Sequence, residues 1–325
     1  MGGTLVRFLK SFNAFIEKWM ALVTPLCLLT GVIFADQFSR MLFLVPYIFA
    51  FMTFCGSLGS KFSDIGKVVQ HPLPLILSVL ILHLLLPFLA LGAGSLLFPQ
   101  SPYIITGMVL EFVVPSAVVS TMWVSIYRGS TPFTLSLLLI DTLLAPFCVP
   151  FSLRLFVGSS VQVDASGMMK ELLLMVGIPA LVGMTLNQLT RGSVKQTLSP
   201  KLAPFGKIAL ILVVCANSSK VAPFIRHMTP QLFAVAGVIL LLAAAGYALG
   251  WAVSAVLKQK RELVVSMSFG CGMRNISAGA VIAAAYFPAE VMFPVMIGTL
   301  FQQILAASFA QLLKKHYGLP GEDAC

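Results

Sequence analysis

The chain has 325 residues; 58% are hydrophobic, only 10% are charged, and the formal net charge is +10, with a mean hydropathy of +0.97. Soluble domains carry about 25% charged residues, so a water-soluble globule is excluded and lipid is the expected partner of most of the surface. Nucleic acid is excluded as a partner too, because the basic residues follow a membrane topology instead of gathering in one patch.

From the N-terminus, Leu5, Phe8, Leu9, Phe12, Phe15, Ile16 and Trp19 fall near one face of a helix, with Arg7, Lys10 and Lys18 elsewhere. That pattern suits an interfacial helix over residues 1–19, and no cleavable signal peptide is read there. Ten apolar stretches of spanning length follow, at about 20–37, 41–58, 72–98, 104–127, 131–157, 172–190, 205–219, 231–257, 263–287 and 290–313. A span needs about 20 apolar residues, so the seventh is short. A polar loop at Gly158–Gly167 separates five stretches from five. Five is odd, so the second set enters the membrane from the opposite side. The expected fold is therefore all-α, with ten transmembrane helices in two inverted five-helix repeats, residues 20–160 and 168–315, and a tail at 316–325.

Charge orients this arrangement. With the N-terminus inside, 15 of the 21 Lys and Arg residues lie on cytoplasmic segments. Arg40, Arg154, Lys170, Lys220 and Arg226 lie outside, and Arg274 is left within the membrane. The positive-inside rule then places both termini in the cytoplasm and the protein in the inner (plasma) membrane. The six cysteines are scattered, with neither metal-ligand nor disulfide spacing; they read as small apolar packing residues.

Two stretches interrupt this apolar pattern. The fourth span contains Val113-Val114-Pro115-Ser116-Ala117, and the ninth contains Gly270-Cys271-Gly272-Met273-Arg274-Asn275-Ile276-Ser277. Proline in mid-helix removes a backbone hydrogen bond and clashes with the carbonyl four residues back. Glycine weakens a helix, and a guanidinium at bilayer depth costs about 2.5 kcal/mol or more. Pro115, Gly270 and Gly272 are thus the expected helix breaks. Paired discontinuous helices, one in each half, mark a secondary transporter with its site near the midplane. If the two breaks cross, free carbonyls and half-helix N-termini meet at one place, where they attract ions of both signs.

The other ionisable residues within the spans are Glu111, Asp141 and His83. Arg274 paired with Asp141 or Glu111 accounts for one carboxylate, and such a pair needs only a packing role. The second carboxylate is then a candidate proton carrier. His83 is either a third coupling group or a core histidine bonded to a carbonyl. Ser116, Ser120, Thr121, Thr134, Ser136, Asn275 and Ser277 lie at similar depth, as does the amide pair Gln302-Gln303. Hydroxyls in membrane helices often bond back to their own helix, but at least one of two consecutive glutamines must face a cavity or a partner helix. Metalloprotease, hydrolase, Walker and dinucleotide signatures are all missing, so the chain reads as a non-enzyme with no organic cofactor.

Gly272-Met273-Arg274-Asn275-Ile276-Ser277, followed by Ala278-Gly279-Ala280, resembles the Gly-Met-Gln-Asn-Ser motif of the bile acid:sodium symporter family. Pro115–Met122 stands where that family has Pro-Gly-Gly-Thr-Ala-Ser-Asn, and Tyr127-Arg128-Gly129 resembles its Leu-Ala-Arg-Gly turn. The resemblance runs over essentially the whole chain. It implies a core of spans 3, 4, 5, 8, 9 and 10, a panel of spans 1, 2, 6 and 7, and transport of an organic anion by alternating access.

The resemblance also implies two sodium sites beside crossed helices 4 and 9. One uses Ser120, Thr121, Thr134 and a ninth-helix glutamate. The other uses that glutamate, carbonyls near Met273, the motif glutamine and a third-helix glutamine. This chain has Gly270 for the glutamate, Arg274 for the motif glutamine, His83 for the third-helix glutamine, Leu138 for a lining threonine and Ser116-Ala117 for the Gly-Gly pair. A fixed guanidinium repels sodium, so at most one sodium site is expected, with Arg274 standing in for the other ion. The expected substrate is a bile-acid-like or pantoate-like carboxylate, held by Arg274, Ser116, Asn275, Gln302 and Gln303. The coupling ion is a proton, through Glu111, Asp141 or His83, or one sodium, or none. Two other readings are a cation/proton exchanger built on Asp141 and Glu111, and a membrane ligand sensor that does not transport.

Overall fold

The computed structural model describes Ile16, residues 19–62 and residues 72–318. Most of the expected interfacial helix, and the tail beyond Gly318, lie outside the described residues. Within them the chain is helical apart from turns and one isolated antiparallel bridge.

Fourteen α-helices follow in order: α1 Met20–Ile33, α2 Ala35–Ser39, α3 Val45–Ser57, α4 Pro72–Leu97, α5 Pro102–Val113, α6 Ser120–Ile126, α7 Thr131–Val157, α8 Ala165–Leu189, α9 Ser193–Thr197, α10 Ser199–Arg226, α11 Pro230–Val256, α12 Arg261–Gly272, α13 Ile276–Tyr286 and α14 Ala289–Tyr317. Six of them (α4, α7, α8, α10, α11 and α14) have 25 to 29 residues and are long and apolar enough to cross a membrane. Four more apolar helices are shorter: Leu22–Ile33, Leu42–Ser57, α5 and α13. The seventh apolar stretch is not short in the structure. Its helix runs for 28 residues, and Lys220 and Arg226 lie within it.

Proline sets many of the helix starts and local irregularities. α5, α7, α10 and α11 begin with proline in the first turn, where its missing N–H costs nothing. α4 and α8 each widen into one π-turn, at Ile81–Leu85 and Leu173–Gly177, two residues ahead of Pro87 and Pro179. The proline ring displaces the carbonyl four residues back, and a π-turn absorbs that displacement.

The core is apolar, but much of the surface is apolar too, and a few charged side chains are buried. Asp141 is 0% exposed, while Leu96 is 83% and Phe151 67% exposed. Charge inside and large apolar side chains outside is the distribution that a lipid solvent demands.

The chain divides into two compact units, one of residues up to Phe62 with Glu171–His227, the other of Ser63–Lys170 with Met228 onward. In the first unit α1 packs closely on α10, because Gly31 has no Cβ to strike the Cys215 carbonyl. Asn187 donates to the Ser60 carbonyl at 2.9 Å and Arg226 to the Val32 carbonyl at 2.6 Å. In the second unit, Gly246 and Gly250 bring α11 against the Cys271 and Met267 carbonyls of α12. All the residues singled out for chemistry belong to this second unit.

Candidate functional site: two joined helix interruptions

α5 ends at Val113. Val114 is extended (φ −63°, ψ 151°), as expected for a residue that precedes proline. α12 runs through Gly270 and ends at Gly272; Met273 is extended (φ −100°, ψ 128°), and α13 starts after Asn275. The second interruption is therefore Met273–Asn275, and the two glycines lie in the last turn of α12. They serve packing: a Cβ on Gly272 would overlap the Tyr247 ring, and one on Gly270 would come within 2.8 Å of a Leu137 methyl. Asn275 caps α13, its side-chain oxygen accepting from the Ala278 N–H at 3.3 Å.

The interruptions are joined through their main chains. The Ala117 N–H donates to the Met273 carbonyl at 3.0 Å, and the Asn275 N–H to the Pro115 carbonyl at 2.7 Å. Ser116 and Arg274 thereby face each other in an antiparallel bridge. Backbone groups freed by two broken helices thus satisfy each other where water is scarce.

Three side chains complete the frame. Asp141, on α7, accepts the Ser116 N–H at 2.6 Å through Oδ2, and its Oδ1 is bonded to His83 Nε2 at 2.5 Å. His83 sits in the π-turn of α4, so this pair ties α4 and α7 to the first interruption. The Gln302 side-chain oxygen, on α14, accepts the Arg274 backbone N–H at 2.8 Å. Gln303 accepts from the Trp123 indole at 3.1 Å. Trp123 stacks on Phe269 with ring centroids 5.9 Å apart, and the Tyr247 hydroxyl donates to the Gln302 carbonyl at 3.1 Å.

The Arg274 side chain is only 2% exposed, and its Nε, Nη1 and Nη2 are all buried without a hydrogen-bond partner. The sequence left open a direct pair between Arg274 and Asp141 or Glu111. Asp141 is instead taken by His83 and Ser116, and Glu111, 2% exposed, keeps a buried and unpartnered Oε2. Neither carboxylate makes a hydrogen bond to the Arg274 guanidinium. Glu111 presses on α14 at Gly298, where a Cβ would overlap its carboxylate.

The remaining polar candidates mostly bond locally. Thr134 donates to the Ser130 carbonyl at 3.1 Å, Ser136 to Pro132 at 2.9 Å, and Thr121 to Val118 at 2.7 Å. Ser120 Oγ is buried and unpartnered. The described residues contain no cluster of three or more His, Cys, Asp or Glu side chains able to hold a metal ion. Sequence reasoning passed over Trp123 and Tyr247; a lone Trp with a polar ring atom in an apolar span was the available signal.

Helices of spanning length around a buried polar centre, with two interruptions joined by their main chains, define a multi-pass membrane protein. The chain belongs to the sodium bile acid symporter family: residues 46–228 match the Sodium Bile acid symporter family. It is 42% identical over 296 residues to the uncharacterized protein YbaS of Bacillus subtilis (strain 168), covering 91% of this chain and 97% of that one. It is 22% identical to the uncharacterized sodium-dependent transporter YocS of the same organism, covering 88% and 87%. It is also 22% identical to the probable sodium/metabolite cotransporter BASS2, chloroplastic, of Oryza sativa subsp. japonica, covering 84% and 64%.

Proposed function

We propose that the protein is a secondary transporter of an organic anion, a bile-acid-like or pantoate-like carboxylate, working by alternating access with reduced or no sodium dependence. The observation that carries this reading is the Arg274 guanidinium, buried with three unpartnered nitrogens. A buried charge is stable only when paired and hydrogen-bonded, and a carboxylate matches the planar fork of Arg. Ser116, Asn275 and Gln302 are the neighbouring polar groups, and Gln303 follows Gln302 on α14 with its oxygen on Trp123. The proposed architecture has ten spans in two inverted repeats, interruptions that cross at the midplane, and both termini in the cytoplasm of a plasma-membrane protein.

The groups that the resemblance assigns to sodium do not fit a two-ion cluster. Ser120, Thr121, Thr134 and the Met273 carbonyl supply only neutral oxygens, and the Met273 carbonyl already accepts the Ala117 N–H. The position of the shared glutamate is Gly270, directed at Leu137. The position of the motif glutamine is a fixed cation. Of the coupling candidates, His83 and Asp141 form one bonded pair, while Glu111 stands apart.

The test is uptake of labelled pantoate or cholate into proteoliposomes preloaded with the same unlabelled anion, with sodium and proton gradients imposed separately. Entry that exceeds protein-free vesicles but ignores sodium is expected. Strong sodium-driven entry would mean that the neutral oxygens suffice for sodium and that Arg274 does not replace it.

A further inference from the structure

The polar groups around the interruptions are engaged unevenly. Both Asp141 oxygens are taken, by His83 and by Ser116, and the side-chain oxygens of Gln302 and Gln303 accept from Arg274 and Trp123. The guanidinium of Arg274 has no acceptor for any of its three nitrogens. α13, an 11-residue helix, starts two residues later, and its N-terminal dipole adds positive potential at the same place. Neither buried carboxylate supplies an acceptor: Asp141 is bonded to His83 and Ser116, and Glu111 makes no hydrogen bond to Arg274.

A cation that travels with the substrate leaves with it, and the emptied site is free to return. A guanidinium does not leave, and it does not give up its proton. Each time the site closes without an anion, that charge must lose its water with nothing to replace it. Breaking a buried pair by removing one partner is strongly unfavourable, and the same penalty slows passage of the empty site by about 100-fold or more.

We infer that an anion must occupy the Arg274 site during passage in both directions, so that the protein is an obligatory anion exchanger, one carboxylate entering for one leaving. This rests on the transport reading above. The exchange is balanced: no covalent bond changes, and for two monocarboxylates no net charge crosses. The gradient of one carboxylate then drives the other.

The experiment has two stages. Purified protein and Arg274→Gln are screened for thermal stabilisation by short hydroxy- and keto-monocarboxylates, pantoate and cholate, with Arg274→Lys as a second variant that keeps the charge. An anion that stabilises the wild type and Arg274→Lys more than Arg274→Gln is then used, labelled, on proteoliposomes loaded with the same unlabelled anion or with impermeant buffer. Entry about 100-fold faster into the loaded vesicles, and unmoved by a clamped membrane potential, is expected. Concentrative entry into unloaded vesicles, driven by sodium or protons, overturns obligatory exchange and leaves the transport reading standing. Stabilisation that does not depend on Arg274, or no entry into either vesicle, overturns both.

Discussion

Asp141 Oδ2 accepts the backbone N–H of Ser116 at 2.6 Å, so a carboxylate in α7 takes up a main-chain donor that the interruption after α5 releases. Its other oxygen is bonded to His83. A hydrogen bond to a charged group contributes about 1.5–3 kcal/mol. Asp141→Asn should therefore lower the midpoint of thermal unfolding in detergent and abolish anion uptake. His83→Gln should cost less, since the Ser116 bond survives. An Asp141→Asn protein that melts with the wild type would show that the carboxylate does not hold the interruption.

Gly298 gives Glu111 its place. Gly298→Ala drives a methyl into the Glu111 carboxylate, and overpacking of this kind costs about 1–3 kcal/mol. The double change Gly298→Ala with Glu111→Ala should recover most of that loss. A double-mutant cycle on unfolding midpoints measures the coupling; additive effects would mean the two positions do not share the space.

Two glycines of the second unit should respond in opposite directions to the same substitution. Gly272→Ala overlaps the buried Tyr247 ring and should be strongly destabilising. Gly237 lies within α11, with nothing inside 4 Å of its Cβ position, so Gly237→Ala should raise stability by up to about 1 kcal/mol through helix propensity. Parallel melting curves of the two variants decide this directly.

Sodium sensitivity should be recoverable. Arg274→Gln removes the fixed cation and Gly270→Glu supplies a carboxylate, the Leu137 methyl that faces it being the movable end of a side chain. The single Arg274→Gln variant should gain some sodium-dependent thermal stabilisation, and the double variant more. A double variant indifferent to sodium would show that Arg274 does not occupy the place of an ion.

What the sequence disclosed depended on the range of the physics. The membrane character and the helices of α7, α11 and α14 were legible because hydropathy is summed over twenty or more residues. The interruption after α5 was legible because Pro115 acts locally, on Val114. The second interruption was read too early, at Gly270, because glycine's weakness in a helix says nothing about what packs on it; Leu137 and Tyr247 hold that turn helical. The partners of Asp141 were not legible. His83 is 58 residues away and Ser116 is 25, and no local rule selects either over Arg274. The extended length of α10, out to Arg226, escaped because its polar end lowers the windowed hydropathy while its helical hydrogen bonds continue.

The bridge between Ser116 and Arg274 is made of peptide groups alone. Its hydrogen bonds run from Ala117 to Met273 and from Asn275 to Pro115, and none involves the side chain at position 274. Whatever residue stands there inherits the same scaffold. The framework can thus exchange one electrical character of its centre for another by a single codon, without renegotiating how the two interruptions are held. Under the proposed reading of Arg274, selectivity is a removable part, mounted on a backbone chassis whose own hydrogen bonds do not depend on the side chain fitted.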